Sequence, residues 1–316
     1  MPCFFPIPAW KSRDLADVSA KTKKTKLVFK SELGLKSTAL EIPCGQCIGC
    51  RLDRARSWAI RCIHEASLHK DNCFLTLTYK DDQPNHSLNK RDFTLFMKKL
   101  RKKFPLKEIR YFQCGEYGDE TQRPHHHVLL FGFDFLDKVY FTQSQGNKIF
   151  VSKLLSELWP HGIHSIGEIT FDSACYTARY ILKKTTGPNA KEHYGERIPE
   201  YTTMSRRPGI ATTWFQQNFP DIYNYDKCVI SHDFVARPPV FYDRMYEHIF
   251  PDNYKSIKKN RRANALSNPE NTDERRKIKH KITIIKQSRI SRSYEIGSST
   301  HIDNPSTITT DTQVSE

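Results

Sequence analysis

The chain has 316 residues, of which 38% are hydrophobic and 12% aromatic, so it can fold around a core of ordinary size. No apolar run approaches the roughly 20 residues that span a bilayer, which argues against a membrane protein. The N-terminus lacks the regions of a secretory signal, so the chain is expected to be intracellular. The formal net charge of +15 favours a polyanionic partner, although a basic chain can also owe its charge to solubility alone.

The first 44 residues are predicted to form an irregular arm with one basic run, "KTKKTKLVFK". The folded domain is expected to cover residues 45–250 and to begin at a cysteine cluster. Nine cysteines in a chain without an export signal argue against a disulfide framework and favour reduced thiols.

The cluster "PCGQCIGCR" places Cys44, Cys47 and Cys50 in a C-x₂-C-x₂-C pattern. Such tight spacing lets three thiolates converge on one ion, and Cys3 of the N-terminal arm is the candidate fourth ligand. A structural Zn²⁺ is the first interpretation. An iron–sulfur cluster, or ordinary thiols beside a glycine turn, remain open.

A helix is predicted after the cluster, because Trp58, Cys62 and Ala66 follow at four-residue spacing. The run "CFLTLTY", Cys73–Tyr79, predicts a strand because β-branched and aromatic residues fill it. The next segment, "SLNKRDFTLFMKKLRKKF", predicts an amphipathic helix. Its apolar stripe consists of Phe93, Phe96, Met97, Leu100 and Phe104.

The runs "IRYFQCGE" and "HHHVLLFG" flank the turn-forming stretch "YGDETQRP" and are predicted to pair as a hairpin. A short helix over "VSKLLSELW", a strand over "GIHSIGEIT" and a helix over "DSACYTARYILKK" follow, the last capped by Asp172 or Ser173. This order predicts an α+β fold whose central, largely antiparallel sheet is covered on one face by helices. Residues 251–316 are basic, then polar, and are predicted to be a disordered tail.

Three consecutive histidines open the strand in "RPHHHVLLFG". Because side chains alternate along a strand, His125 and His127 share one face and His126 takes the other. Glu116 ends the paired strand, and the hairpin can bring its carboxylate towards the two imidazoles. Two neutral histidines and a carboxylate suit a divalent metal that keeps open positions. Solvated histidines, or histidines bonded to the backbone, are the alternative.

The helix "YTARYILKK" places Tyr176, Tyr180 and Lys183 on one face. A tyrosine hydroxyl, with an ordinary pKa of about 10, can attack a phosphodiester once it loses its proton and the phosphate becomes electrophilic. A lysine one turn away can stabilise the phenolate or bind phosphate, and a metal can polarise the phosphate oxygens. The alternative is a helix stripe that belongs to the core.

Together these motifs resemble the HUH endonucleases that initiate rolling-circle replication, and among them the replication initiators of small single-stranded DNA phages of the gokushovirus type. Residues 1–190 carry the resemblance. The matching motifs are "PCGQCIGCR", "FLTLT", "CGEYG", the His–x–His pair and the Y-x-x-x-Y-x-x-K helix from Tyr176 to Lys183. One departure is that the middle residue of the pair, commonly hydrophobic, is His126.

The resemblance implies an HUH/Rep-like fold with a ferredoxin-related palm, and Mg²⁺ or Mn²⁺ held by Glu116, His125 and His127. It implies nicking and rejoining of single-stranded origin DNA through a 5′-phosphotyrosine, with Tyr180 or Tyr176 as the nucleophile and Lys183 in support. The order of the two tyrosines stays open; the hypothesis is that Tyr180 acts first, because it has the Y-x-x-K spacing to Lys183. It also implies action in the cytoplasm of an infected bacterial host, with the host replication machinery. A helicase would have to come from that machinery, since the sequence has no P-loop pattern.

Several basic elements are candidates for contacts with the DNA backbone, although each can equally be a solvated face. They are "KKLRKKF", "SRRP", Arg179 and Lys184. Two other functions stay open: a sheet-based nucleic-acid-binding protein without catalysis, and a metal-dependent phosphoester hydrolase that uses water as nucleophile.

Overall fold

The computed structural model describes residues 3–19, 25–80, 87–118, 121–144, 146–179, 184, 190–231 and 234–288. The chain divides into two compact units. The smaller comprises Met1–Arg54 and Lys255–Ile290, and the larger is built on Ala55–Tyr254.

The described residues contain nine α-helices and twelve strands. The helices are α1 (Ile48–Ala66), α2 (Lys90–Lys103), α3 (Lys153–Leu158), α4 (Phe171–Arg179), α5 (Ala190–Tyr194), α6 (Thr212–Tyr225), α7 (Val240–Ile249), α8 (Pro251–Ser267) and α9 (Asp273–Ser288). The strands are β1 (Ile7–Lys11), β2 (Leu27–Val28), β3 (Leu40–Ile42), β4 (Asn72–Thr78), β5 (Arg110–Tyr117), β6 (Pro124–Phe131), β7 (Val139–Ser144), β8 (Asn147–Val151), β9 (His164–Gly167), β10 (Tyr201–Met204), β11 (Cys228–Ser231) and β12 (Phe234–Ala236).

The larger unit is organised around a seven-stranded sheet in the order β10-β5-β6-β4-β9-β8-β7. Every neighbouring pair in it is antiparallel. The predicted α+β fold with a largely antiparallel sheet is therefore confirmed. The hairpin β7–β8 and the edge strand β10 were not predicted, because β7 is largely exposed and β10 has only four residues.

One face of the sheet packs against α2 and α3. The predicted stripe of α2 is buried there, with only its last ring, Phe104, partly exposed. Burying each such side chain contributes about 1.5–3 kcal/mol. The core cluster on this face includes Leu75, Leu77, Val128, Leu130, Phe93, Phe96, Met97, Leu100 and Trp159.

Helices also cover the opposite face, where the sequence predicts none. Trp58 of α1 lies 4.9 Å from Phe112 of β5, and α4 packs on β6 and β5. As a result, all eight residues of β6 are buried, and neither face of this strand is exposed to solvent.

The smaller unit contains the three-stranded antiparallel sheet β2-β1-β3, within the arm predicted to be irregular. Helices α8 and α9 occupy part of the tail predicted to be disordered. Lys, Arg and Glu are good helix formers, and Glu270 pairs with both Arg275 and Lys279 around the start of α9. The proposed domain boundaries at 44 and 250 stay a prediction. None of the described helices is long and apolar enough to span a membrane.

Candidate functional site

The hairpin of β5 and β6 brings Glu116, His125 and His127 together. Glu116 lies directly opposite His125 in the strand register. Its Oε1 is 2.6 Å from His125 Nε2 and 3.1 Å from His127 Nε2. One ligand atom from each of the three residues lies within 4.8 Å of the others, so their donor atoms converge on one point.

The outer ring nitrogens of both histidines have their own partners. His125 Nδ1 lies 3.0 Å from the carbonyl oxygen of Arg123, and His127 Nδ1 lies 3.1 Å from Thr76 Oγ1. An imidazole that ligates through Nε2 carries its proton on Nδ1 and donates it to such an oxygen. Both rings are therefore held with Nε2 directed at Glu116.

The electrostatics of the site favour a charged carboxylate. Burial alone raises the pKa of Glu116, but the charges of His125 and His127 and their hydrogen bonds outweigh it and hold that pKa well below its ordinary value. A buried carboxylate with two imidazoles suits a divalent cation in both charge and ligand type. The three residues thus fit the metal site that the sequence predicts.

His126 points to the opposite face, as strand parity predicts, and is fully buried. Its Nδ1 lies 2.9 Å from Gln113 Nε2, and its Nε2 lies 3.2 Å from Tyr79 Oη. Burial, together with the charges of neighbouring histidines, lowers the pKa of His126 to about 3. His126 is therefore a neutral core residue, and its departure from the family pattern leaves the pair of His125 and His127 intact.

Helix α4 presents Tyr176 to the same face of the sheet. The Tyr176 ring lies 5.0 Å from the His127 ring, edge to face at 81°. The cap of α4 is Thr170, whose Oγ1 accepts from the Ser173 backbone amide, while Ser173 Oγ accepts from the Thr170 amide. The predicted cap at Asp172 or Ser173 is wrong, because the helix begins at Phe171.

The remaining predicted residues of this helix are only partly described. Tyr180 and Lys183 lie outside the described residues. Arg179 is the last residue of α4 and is half-buried, and Lys184 is exposed. Their place in the sequence after Tyr176 keeps both basic side chains candidates for phosphate contacts.

A cavity of about 260 Å³ opens beside the histidines on the same face of the sheet. Phe74 forms one wall of it and also stacks on His127, with ring centroids 5.7 Å apart and planes 10° apart. Sequence reasoning missed this cavity, since it depends on the unpredicted strand β8. The lining residues are Phe74, Gly146, Asn147, Lys148, Ile149, Ser165, Ile166, Gly167 and Glu168.

The four predicted cysteines also come together, within the smaller unit. Cys3, Cys44, Cys47 and Cys50 offer sulfur atoms that all lie within 4.8 Å of one another. They are free thiols.

Comparison with known proteins places the chain in a family. Residues 72–185 match the family of the replication-associated protein ORF2/G2P. Replication-associated protein VP4 of Bdellovibrio phage phiMH2K is 36% identical over 239 residues, which cover 72% of this chain and 75% of the relative. The chain belongs to the phage replication-associated proteins.

Two further members of this replication-associated family are similar to the chain. Replication-associated protein ORF2 of Spiroplasma virus 4 is 36% identical over 228 residues, which cover 67% of this chain and 70% of the relative. Replication-associated protein ORF4 of Chlamydia phage 1 is 31% identical over 159 residues, which cover 48% of this chain and 40% of the relative. No solved structure matches this replication-associated chain. The family match spans the metal-site hairpin and Tyr176, so the candidate site lies in the matched region.

Proposed function

We propose that the protein nicks and rejoins single-stranded origin DNA through a 5′-phosphotyrosine intermediate and so initiates rolling-circle replication. The observation that carries the proposal is the contact of Tyr176 with His127. Helix α4 carries the phenol of Tyr176, and the centroid of that ring lies 5.0 Å from the centroid of the His127 imidazole. His127 belongs to the group of two histidines and one carboxylate that could hold a metal ion. A phosphate bound at that site would lie within reach of the helix.

In this proposal Glu116, His125 and His127 hold Mg²⁺ or Mn²⁺. The bound ion would withdraw electron density from the non-bridging oxygens of the scissile phosphate. Arg123 and Thr76 fix the ring orientation through the carbonyl and hydroxyl that face the Nδ1 atoms. Both imidazoles then enter the reaction already oriented, which lowers the reorganisation needed in the transition state.

The tyrosine hydroxyl attacks the scissile phosphorus and loses its proton, and the bond from phosphorus to the 3′ oxygen breaks. That oxygen gains a proton and becomes a free 3′-OH, so protons balance overall. The new phosphotyrosine conserves the phosphodiester, and rejoining by the reverse attack needs no ATP. Tyr180 is the proposed primary nucleophile, with Lys183 stabilising its phenolate. Tyr176 would cut the regenerated origin while Tyr180 still holds the first end.

The depth of the candidate site favours single-stranded rather than duplex DNA as substrate. Glu116 and His127 are fully buried and His125 is nearly so, and a flexible single strand can bring a phosphate to such a site more readily than a stiff duplex can. The cavity beside the site is lined by Lys148, which can contact the strand, and also by Glu168. Arg179 and Lys184 would then contact the backbone phosphates.

In its cellular setting the protein would act on viral DNA in the cytoplasm of the infected host. A helicase of the host replication machinery would supply unwinding. The relatives named replication-associated proteins of bacterial phages support this setting.

The test is incubation of the full chain with labelled, origin-like single-stranded DNA and Mn²⁺, followed by denaturing electrophoresis. A labelled species at the mass of protein plus DNA, abolished by a chelator, is expected. Binding without cleavage would instead identify a non-catalytic nucleic-acid-binding protein. Cleavage without an adduct would identify a hydrolase that uses water.

A further inference from the structure

Four thiols gather in the smaller unit, in a cluster that the nicking reaction does not use. Cys3 Sγ lies 3.5 Å from Cys44 Sγ and 3.8 Å from Cys47 Sγ. All four sulfurs, including that of Cys50, lie within 4.8 Å of one another. Four free thiols this close share one small volume.

The backbone is built around these sulfurs. Gly45 adopts a φ of +73°, which turns the chain so that the Cys47 amide donates to Cys44 Sγ over 3.3 Å. The Cys44 amide donates to Cys3 Sγ over 3.2 Å. The Phe4 amide donates to Cys47 Sγ over 3.5 Å. Amide donors of this kind orient and stabilise thiolates in metal sites.

The spacing fits a single tetrahedral ion. Zinc–sulfur bonds of about 2.3 Å place tetrahedral sulfurs about 3.8 Å apart. The distances from Cys3 to Cys44 and to Cys47, 3.5 and 3.8 Å, agree with that value. An iron–sulfur cluster distributes its cysteines over several irons and so holds their sulfurs farther apart.

We propose that Cys3, Cys44, Cys47 and Cys50 bind one structural zinc ion that fastens the N-terminal arm to the start of α1. Cys50 lies in the first turn of α1, and Cys3 immediately precedes the phenylalanines that lead into β1. A four-thiolate shell leaves no open position for substrate, which suits a structural ion.

A structural metal ion would stabilise the smaller unit, whose apolar interior is small. Among the described residues of both segments of the smaller unit, the buried hydrophobic side chains are Phe4, Ala9 and Leu52. Small units with little core commonly depend on a metal or a disulfide. Zinc at the cluster would close the span from Cys3 to Cys44, which contains β1, β2 and β3.

The test measures metal in the full-length protein after exhaustive dialysis, with and without the cluster. The wild type is expected to retain about one zinc per chain, and Cys47→Ser less than about a tenth. Cys175→Ser is the matched control, because Cys175 is also a partly buried thiol but lies on α4 in the larger unit and is not one of the four clustered cysteines. It should keep its zinc. A variant with His125→Ala and His127→Ala should keep it too, which separates the cluster from the nicking site.

A second measurement guards against misfolding of the serine variant. Wild-type protein reconstituted with Co²⁺ should show thiolate-to-cobalt charge-transfer bands and the visible bands of tetrahedral coordination. After a chelator has removed the metal, adding zinc back should again slow amide hydrogen exchange in strands β1, β2 and β3. The proposal is overturned if the wild type retains no zinc and gives no cobalt–thiolate bands. Iron and acid-labile sulfide in the purified wild type would also overturn it. So would zinc that is lost from the His125→Ala and His127→Ala variant but kept in Cys47→Ser.

Discussion

Thr76 of β4 places its hydroxyl 3.1 Å from Nδ1 of His127 on the neighbouring strand β6. The two residues are directly paired in the register of the sheet. Thr76 is thus the partner that sets which nitrogen of His127 is free to ligate. It lies within the "FLTLT" motif, for which the sequence alone gives no chemical role.

Replacing Thr76 with valine should weaken metal binding without disturbing the sheet. Valine has nearly the same shape but no oxygen to accept the Nδ1 proton. Loss of such an outer partner typically costs 10–100-fold in metal affinity, so we expect a drop of about that size in Mn²⁺ affinity by isothermal titration calorimetry. Thr76→Ser should restore most of it. Equal affinities in the valine and wild-type proteins would remove Thr76 from the site.

Replacing Glu116 with glutamine should weaken metal binding more than the Thr76 substitution does. Glutamine keeps the size of the side chain but removes the only carboxylate of the three-residue site. We expect the Mn²⁺ concentration for half-maximal nicking to rise at least about 100-fold, beyond the loss expected at Thr76. Glu157→Gln on α3 is the control, since it removes an exposed carboxylate that pairs with Lys103. A Glu116 variant with unchanged metal dependence would contradict the proposed ligand set.

Short-range features of the sequence were enough to predict that Glu116, His125 and His127 come together. Strand parity placed His125 and His127 on one face, and a short hairpin set Glu116 opposite His125. Non-local pairing was not predictable: Thr76 meets His127 across 51 residues of sequence. The cavity likewise depends on β8, whose partner β7 is too exposed to give an alternating pattern.

The tail illustrates a different limit of sequence reasoning. Its charge-dense composition predicted disorder, yet α9 is fixed by tertiary contacts that composition does not contain. Arg276 pairs with Glu41 over 2.9 Å, and the His280 ring lies 4.9 Å from Phe5. Both partners belong to the distant N-terminal arm.

His126 should make the protein sensitive to acid. Its pKa is lowered to about 3 in the folded protein by burial and neighbouring histidines, against 6.5 ordinarily. Between these values the unfolded chain binds one more proton, so the free energy of unfolding falls as pH falls from 6.5 towards 3. The slope from one group is about 1.4 kcal/mol per pH unit.

His126→Gln, which does not titrate, should show a shallower decline by about that slope in denaturant unfolding between about pH 6 and 4. His64 and His164, whose pKa values are lowered to about 4 mainly by burial, contribute equally in both proteins. Comparing slopes rather than absolute stabilities removes the cost of the lost hydrogen bonds. Parallel slopes would mean that His126 does not titrate between the two states.

Salt dependence should separate DNA-contacting cations from solvated ones. Each phosphate contact with a single strand contributes about 0.7 to the slope of log affinity against log salt. We expect Arg179→Gln and Lys184→Gln each to reduce that slope by about this amount in fluorescence anisotropy with single-stranded DNA. Lys103→Gln should leave it unchanged, because α2 packs on the face of the sheet opposite the histidines. A slope that depends on Lys103 would place the DNA on the other face.

The two tyrosines should differ in the adducts that they form. Tyr180→Phe should reduce the first covalent adduct on single-stranded origin DNA by at least about 100-fold, since the proposed primary nucleophile is lost. Tyr176→Phe should still form that adduct but fail to transfer it to a second origin strand. The phenylalanine ring introduced by this change would keep the edge-to-face contact with His127, so loss of folding is not expected. Undiminished adduct in the Tyr180 variant would assign the first attack to Tyr176, and adduct in the double variant would exclude both.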